Sequence, residues 1–157
     1  MSTGEYSSTG LTRAELRELN RLAAIAVPAS AEYGVPGADD AVIFADIVGS
    51  LGRDTNAVRE ALGLLRDIAG GDFAGLDRAT AAAAAMALLG RDEPAIAALG
   101  RVMLQCYYRD HRVMRALGRE PRPPYPKGHD LEPGDWSLLD AVRSRPPMWR
   151  DRDQRGK

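Results

Sequence analysis

The sequence predicts an all-α fold, a small bundle of about five to six helices followed by an extended C-terminal arm rich in proline and tryptophan. Apolar residues recur at helical spacing through residues 11–118, and no stretch shows sustained alternation with period two. Capping residues and glycine or proline stops divide this region into separate helices. Beyond it, prolines at positions 121, 123, 124 and 126 exclude a helix or an inner strand and predict extended backbone.

The first predicted helix opens with a capping box. Thr12 and Glu15 have the spacing of that motif, and Leu11 and Leu16 have the spacing of a hydrophobic staple. Pro28 ends the helix. The apolar positions between these signals are Leu16, Leu19, Leu22, Ala23 and Ala26.

The second and third helices each have two candidate starts. After a turn at residues 33–37, either Asp39 or Asp40 can cap the second helix. Its apolar positions are Val42, Phe44, Ile47, Val48 and Leu51. Either Asp54 or Thr55 starts the third helix, which Gly70 and Gly71 close. Its predicted inward residues are Val58, Ala61, Leu62, Leu65, Ile68 and Ala69.

An alanine-rich helix and a longer apolar helix follow. Asp77 caps the alanine run, which extends to Leu89 and is either a closely packed buried helix or a small-residue face for a partner helix. Pro94 suits the start of the next helix. That helix carries one apolar stripe, formed by Ile96, Leu99, Val102, Met103, Cys106 and Tyr107. Val113, Met114 and Leu117 then add a last turn before Gly118.

Charge is distributed unevenly along a chain whose net charge is −1. Residues 1–100 carry 8 arginines and 14 acidic residues, whereas residues 101–157 carry 13 basic and 8 acidic residues. The basic, aromatic C-terminal part has features of a nucleic-acid interface. Because acidic residues interleave with its arginines and would repel phosphate, we expect no nucleic-acid partner.

The sequence contains no recognisable targeting or membrane segment. Its first ten residues have neither a basic n-region nor an apolar h-region, and no apolar run of roughly 18 residues follows. We therefore expect a cytoplasmic protein without a direct membrane span. A periplasmic location would require a signal on a partner.

Residues suited to catalysis are sparse. The glycine turns lack phosphate-loop spacing, and no strand precedes them. The only histidines, His111 and His129, do not have the spacing of metal ligands. We interpret His111 as a polar residue near the C-terminus of a helix and His129 as a turn residue. Cys106 lies on an apolar stripe, as a core residue would. We expect no catalytic, cofactor-binding or metal-binding residue, and hence a chain that does not catalyse by itself.

The arm at residues 119–150 is the predicted partner-binding region. Disordered segments are poor in aromatic residues, whereas this one is rich in them. We expect a flexible N-terminus at 1–10, a helical domain at 11–118, a short helix near 138–144 within the arm and a disordered tail at 151–157. Aromatic and arginine side chains dominate interface hot spots. The predicted interface residues are Tyr107, Tyr108, Arg112, Arg122, Pro123, Pro124, Tyr125, Pro126, Trp136, Leu138, Leu139, Trp149 and Arg150.

Several of these motifs occur in the order found in a known family. They are Leu11-Thr12-x-x-Glu15 with Pro28, Tyr33-Gly34-x-Pro36-Gly37-Ala38, Phe73-x-x-Leu76, Tyr107-Tyr108, Val113-x-x-x-Leu117-Gly118 and Pro123-Pro124-x-Pro126-x-Gly128. In this order the chain, over roughly residues 11–150, resembles the gluconate 2-dehydrogenase subunit 3 family.

This resemblance implies a small subunit without a cofactor of its own. Its partner would be a large FAD-dependent subunit of a glucose–methanol–choline (GMC) type alcohol or sugar dehydrogenase or oxidase, which this chain would stabilise and help assemble. Family members often carry a twin-arginine export signal, and this sequence departs from the family there. The alternative is a free-standing helical adaptor that binds another protein through the same arm.

Overall fold

A computed structural model describes residues 10–123, 125–128 and 132–146. These residues contain α-helices and short 3-10 turns without a strand, so the predicted all-α fold is confirmed. They form two compact units, one that ends at Pro121 and one that begins at Arg122. The helices are α1 (Arg13–Ala26), α2 (Ala41–Gly49), α3 (Thr55–Ala69), α4 (Arg78–Leu89), α5 (Pro94–Arg109), α6 (His111–Ala116) and α7 (Asp140–Arg143).

Helix α1 begins with the predicted capping box. The backbone N–H of Glu15 donates to the Thr12 hydroxyl at 3.2 Å, and the backbone N–H of Thr12 donates to the Glu15 carboxylate at 2.7 Å. Leu11 is fully buried beside this cap. The helix ends at Ala26, two residues before Pro28.

Helix α2 is capped by Asp40 and not by Asp39. The Asp40 carboxylate accepts a hydrogen bond from the backbone N–H of Val42 at 3.1 Å. Ile43 and Ile47 are buried, whereas Val42 is 66% exposed. Val42, one of the apolar positions of the predicted helix, therefore lies on the outer face, and Ile43, one helical turn before the buried Ile47, lies on the inner face.

Helix α3 starts at Thr55, directly after a 3-10 turn at Gly52–Asp54. The Asp54 carboxylate does not cap the helix and instead pairs with Arg101 at 3.1 Å. Gly70 ends α3 with φ +71°, a left-handed conformation that glycine adopts without steric cost. Helix α3 packs against α1, α4 and α5, and α2 packs against α5, so α3 lies at the centre of the bundle.

Asp77 caps α4, as predicted, by accepting hydrogen bonds from the backbone N–H groups of Ala79 and Thr80. One face of the alanine run is closely packed, with Ala81, Ala84 and Ala85 buried. On the same helix Ala82 is only partly buried. The closely packed interpretation therefore describes one face of α4, and the other face is open.

Helix α5 carries the predicted apolar stripe, and every residue of that stripe is buried. The last turn that the sequence predicts is a separate helix, α6. Asp110 ends α5 and accepts a hydrogen bond from the backbone N–H of Arg112 at 2.8 Å, which caps α6. His111 is therefore the first residue of a new helix and not a residue near the end of α5.

The packed core also contains two acidic residues of α1 that helical periodicity does not reveal. Glu15 and Glu18 are buried between α1 and α3. Arg66 of α3 lies 3.6 Å from Glu15 and 3.1 Å from Glu18, and Arg59 lies 3.5 Å from Glu15. Burial raises the pKa of Glu18, although the pairing with Arg66 acts in the opposite direction. The four side chains form a charged network that ties α1 to α3.

Candidate partner interface

The C-terminal unit contains a short helical segment, residues 136–143, made of a 3-10 turn at Trp136–Leu139 and helix α7. Asp135 caps its start: the Ser137 backbone N–H donates to the carboxylate at 3.0 Å and the Ser137 hydroxyl donates at 2.6 Å. These bonds lower the pKa of Asp135. At the other end, the backbone N–H of Ser144 donates to the carbonyl of Asp140. Local hydrogen bonds therefore define both ends of the segment.

The helical segment exposes its large apolar side chains. Trp136 is 67% exposed and Leu138 is 74% exposed, and Leu139 and Val142 are also exposed. Trp136, Leu139 and Val142 recur every third residue, a spacing that places side chains near one another on a short helix. A contiguous apolar surface of this kind is typical of a binding site.

The proline-rich part of the arm is not extended throughout. Residues 125–127 form a turn, and Arg122 donates a hydrogen bond to the carbonyl of Gly128 at 2.6 Å. Gly128 has φ +68°. The prediction of extended backbone over 121–126 is wrong at this turn, since proline excludes a helix but is common in turns. Tyr125 is exposed, as are Pro123 and Pro126.

The two adjacent tyrosines of α5 have different environments. Their rings meet edge to face, with centroids 5.3 Å apart. Tyr107 is only 6% exposed, and burial raises the pKa of its hydroxyl, whereas Tyr108 is 54% exposed. Tyr107 is therefore a core residue whose ring contacts that of Tyr108. Tyr108 is the member of the pair whose surface a partner can reach.

Arg112, predicted to pair with a partner, is paired within the bundle. Its guanidinium donates to Asp40 at 2.7 and 3.1 Å and to Asp110 at 3.0 and 3.1 Å. The hydrogen bonds with Arg112 lower the pKa of Asp40 to about 2 and also lower that of Asp110. Arg112 therefore joins the caps of α2 and α6. The pair with Asp40 spans 72 residues of sequence, and local sequence patterns do not report it.

Two further exposed apolar residues were missed by the sequence analysis. Leu104 lies one helical turn before Tyr108 on α5 and shares its exposed face. Val142 follows Leu139 by three residues on the helical segment. Both could have been predicted from helical spacing, because Leu104 lies four residues before Tyr108 and Val142 lies three residues after Leu139. The predicted interface residues Pro124, Trp149 and Arg150, and the predicted turn residue His129, lie outside the described residues.

Within the described part of the chain, no helix has both the length and the apolar character needed to cross a membrane. Among the same residues, no three His, Cys, Asp or Glu side chains cluster as potential metal ligands. Fold and site together define a small helical protein with an exposed apolar segment. No protein-family model, curated protein or solved structure matches this chain.

Proposed function

We propose that this chain is a non-catalytic small subunit that binds, stabilises and helps assemble a large FAD-dependent alcohol or sugar dehydrogenase or oxidase of the GMC type. FAD and the catalytic groups belong to the large subunit in this proposal. In this proposal the subunits meet in the cytoplasm. The resemblance to the gluconate 2-dehydrogenase subunit 3 family supports the kind of partner.

The observation that carries the proposal is the exposed apolar surface of the helical segment at 136–143. Trp136 and Leu138 leave most of their surface in water, at a cost that burial against a partner would remove. Tryptophan and tyrosine are enriched among the residues that dominate binding energy. Trp136 and Tyr125 are therefore the proposed anchors in the C-terminal unit, and Tyr108 is the proposed contact on the bundle.

The first step of the test is to inspect the neighbouring reading frames for a GMC-type flavoprotein, and the second is to co-express that flavoprotein with this chain. We expect the two chains to co-elute with bound flavin. Trp136→Ala should weaken assembly by roughly 2–4 kcal/mol, the range of a central hot spot. Tyr33→Ala is the matched control, because Tyr33 is an equally exposed aromatic residue in a turn of the bundle, outside the proposed interface.

The outcomes separate the two candidate classes of protein. Co-elution that is sensitive to Trp136→Ala and insensitive to Tyr33→Ala supports the small-subunit function. Stable assembly that both variants retain would exclude the helical segment as the interface. If the flavoprotein does not co-elute and a protein without flavin binds through Trp136, the chain is the helical adaptor instead.

A further inference from the structure

A cleft of about 470 Å³ on the surface of the bundle is lined by residues of both α1 and α4. Its apolar lining consists of Ala24, Ile25, Pro28 and Ala82, and its polar lining consists of Arg21 and Arg78. The alanines on the facing helices are too small to fill the space between them. The cleft is therefore a consequence of the partly open face of α4.

Among the described residues, the two arginines of this cleft have no carboxylate partner. Arg21 donates one hydrogen bond to the carbonyl of Leu76 at 2.6 Å, and its Nε atom is buried without an acceptor among the described residues. Arg78 is exposed, and its side chain makes no hydrogen bond or ion pair within the described part of the chain. Elsewhere in the bundle, Arg66 and Arg112 each contact two carboxylates. Within the described part of the chain, Arg21 and Arg78 therefore lack the neighbouring carboxylates that Arg66 and Arg112 have.

The cleft also lacks an acidic side chain in its lining. A neighbouring cleft of about 520 Å³, lined in part by Leu16, Arg17 and Phe44, includes Asp72, whose carboxylate would repel an anion. Arg21 lines both clefts. In the neighbouring cleft the carboxylate of Asp72 opposes its positive charge, whereas the lining of the α1–α4 cleft includes no carboxylate. Charge and lining together favour a ligand with one anionic end and one apolar end.

We propose that the α1–α4 cleft binds an amphiphilic carboxylate, that is, a free carboxylic acid with an alkyl chain. The carboxylate lies between the guanidinium groups of Arg21 and Arg78, which can donate paired hydrogen bonds to it. The alkyl chain lies along Ala24, Ile25 and Ala82. The cleft volume falls within the range of small-molecule sites. This ligand site is independent of the identity of any large partner subunit.

Titration of the ¹⁵N-labelled full chain with sodium dodecanoate, below its micelle-forming concentration, tests the site by NMR. We expect saturable shifts of the amides of Arg21, Ala24, Ile25, Arg78 and Ala82. Loss of one charge-assisted contact should weaken dodecanoate binding about tenfold in Arg78→Gln. Ala82→Leu should abolish saturable binding, since the larger side chain occupies the place of the alkyl chain.

Arg17→Gln is the matched control, because Arg17 is an exposed arginine one turn before Arg21 on the same helix and lines only the neighbouring cleft. It should bind dodecanoate like the wild type. Arg21→Gln also loses the hydrogen bond to Leu76, so it is used only if its amide spectrum shows the native fold. Arg78 has no such bond, and Arg78→Gln therefore tests the proposal whether or not the Arg21 variant folds.

Dodecanol and dodecylamine have the same alkyl chain without the carboxylate and serve as ligand controls. The proposal is overturned if dodecanol binds as tightly as dodecanoate, or if Arg78→Gln binds dodecanoate as the wild type does. It is also overturned if the shifts are confined to the apolar helical segment at 136–143, or if no saturable shift occurs. Saturable, carboxylate-dependent shifts at α1 and α4 support it.

Discussion

The Nη2 atom of Arg112 lies 2.7 Å from Oδ1 of Asp40, so that a residue in the first turn of α6 holds the cap of α2. The same guanidinium also contacts Asp110, the cap of its own helix. One side chain thus connects the starts of two helices that are far apart in sequence. The ion pair between Arg112 and Asp40 is part of the tertiary structure and is not a free binding group.

Replacing Arg112 tests this role. Arg112→Gln should lower the free energy of unfolding by about 1 kcal/mol, since the pairs are partly exposed and screened by water. Urea denaturation at neutral pH measures the change. Arg115 is exposed on the same short helix and its side chain makes no hydrogen bond or ion pair with another described residue, so Arg115→Gln should stay within about 0.5 kcal/mol of the wild type. Equal losses in the two variants would contradict the assignment.

The same ion pairs predict how stability depends on pH. The folded-state pKa of Asp40 is about 2, below its ordinary value of 3.8, and that of Asp110 is also lowered. A lowered pKa stabilises the fold above the unfolded-state value, and this contribution is lost as pH falls through the folded-state value. Wild-type stability should therefore drop between about pH 4 and pH 2 more steeply than that of Arg112→Gln.

Urea denaturation of both proteins across this pH range measures the difference. Burial raises the pKa of Glu18, which acts in the opposite sense because a raised pKa favours the fold when the carboxyl is protonated. Glu18 is present in both proteins, so its contribution cancels in the comparison. Parallel stability curves would show that the Arg112 pairs contribute nothing to the pH dependence.

The buried network between α1 and α3 predicts a larger effect. Arg66→Met leaves Glu18 buried without its charged partner and should destabilise the fold by about 3 kcal/mol, the lower end of the range for broken buried pairs because Arg66 is itself partly exposed. The double variant Glu18→Leu with Arg66→Met should recover most of this loss, since apolar replacement of a buried pair is often neutral. Thermal unfolding of the two variants makes the comparison. A double variant as unstable as the single one would show that the charges themselves stabilise the interface.

Local sequence signals predicted most helix starts and ends of the bundle. They did not predict features that depend on contacts between residues far apart in sequence. Caps such as Thr12 and stops such as Gly70 depend on neighbouring residues, and the structure has them at the predicted positions. The sequence of α2 is apolar almost all round, so period alone does not identify its buried side, and the apolar positions read from the sequence include the exposed Val42 but not the buried Ile43. The burial of Glu18 and the pairing of Arg112 with Asp40 depend on residues about 50 to 70 positions away, which no local pattern contains.

The assignment of the inward face of α2 can be tested with two adjacent residues. Ile43→Ala should destabilise the fold by about 2–4 kcal/mol, because it creates a cavity in the core. Val42→Ala should change stability by less than about 0.5 kcal/mol, because Val42 is exposed. Chemical denaturation of the two variants decides between the faces. A larger loss for Val42→Ala would show that Val42, and not Ile43, faces the core.

The last prediction separates assembly from chemistry in the proposed complex. When the large subunit is produced without this chain, we expect the yield of soluble, flavin-loaded partner to fall strongly, because its uncovered apolar surface favours aggregation. Turnover per bound flavin in the surviving partner should stay close to that of the complex, since all catalytic groups would belong to the large subunit. The measurement is activity divided by flavin content, with and without this chain. If that ratio collapses while solubility and flavin loading are unchanged, this chain contributes to the active site. Tyr108, whose exposed ring a partner can reach, would then be the first residue to substitute.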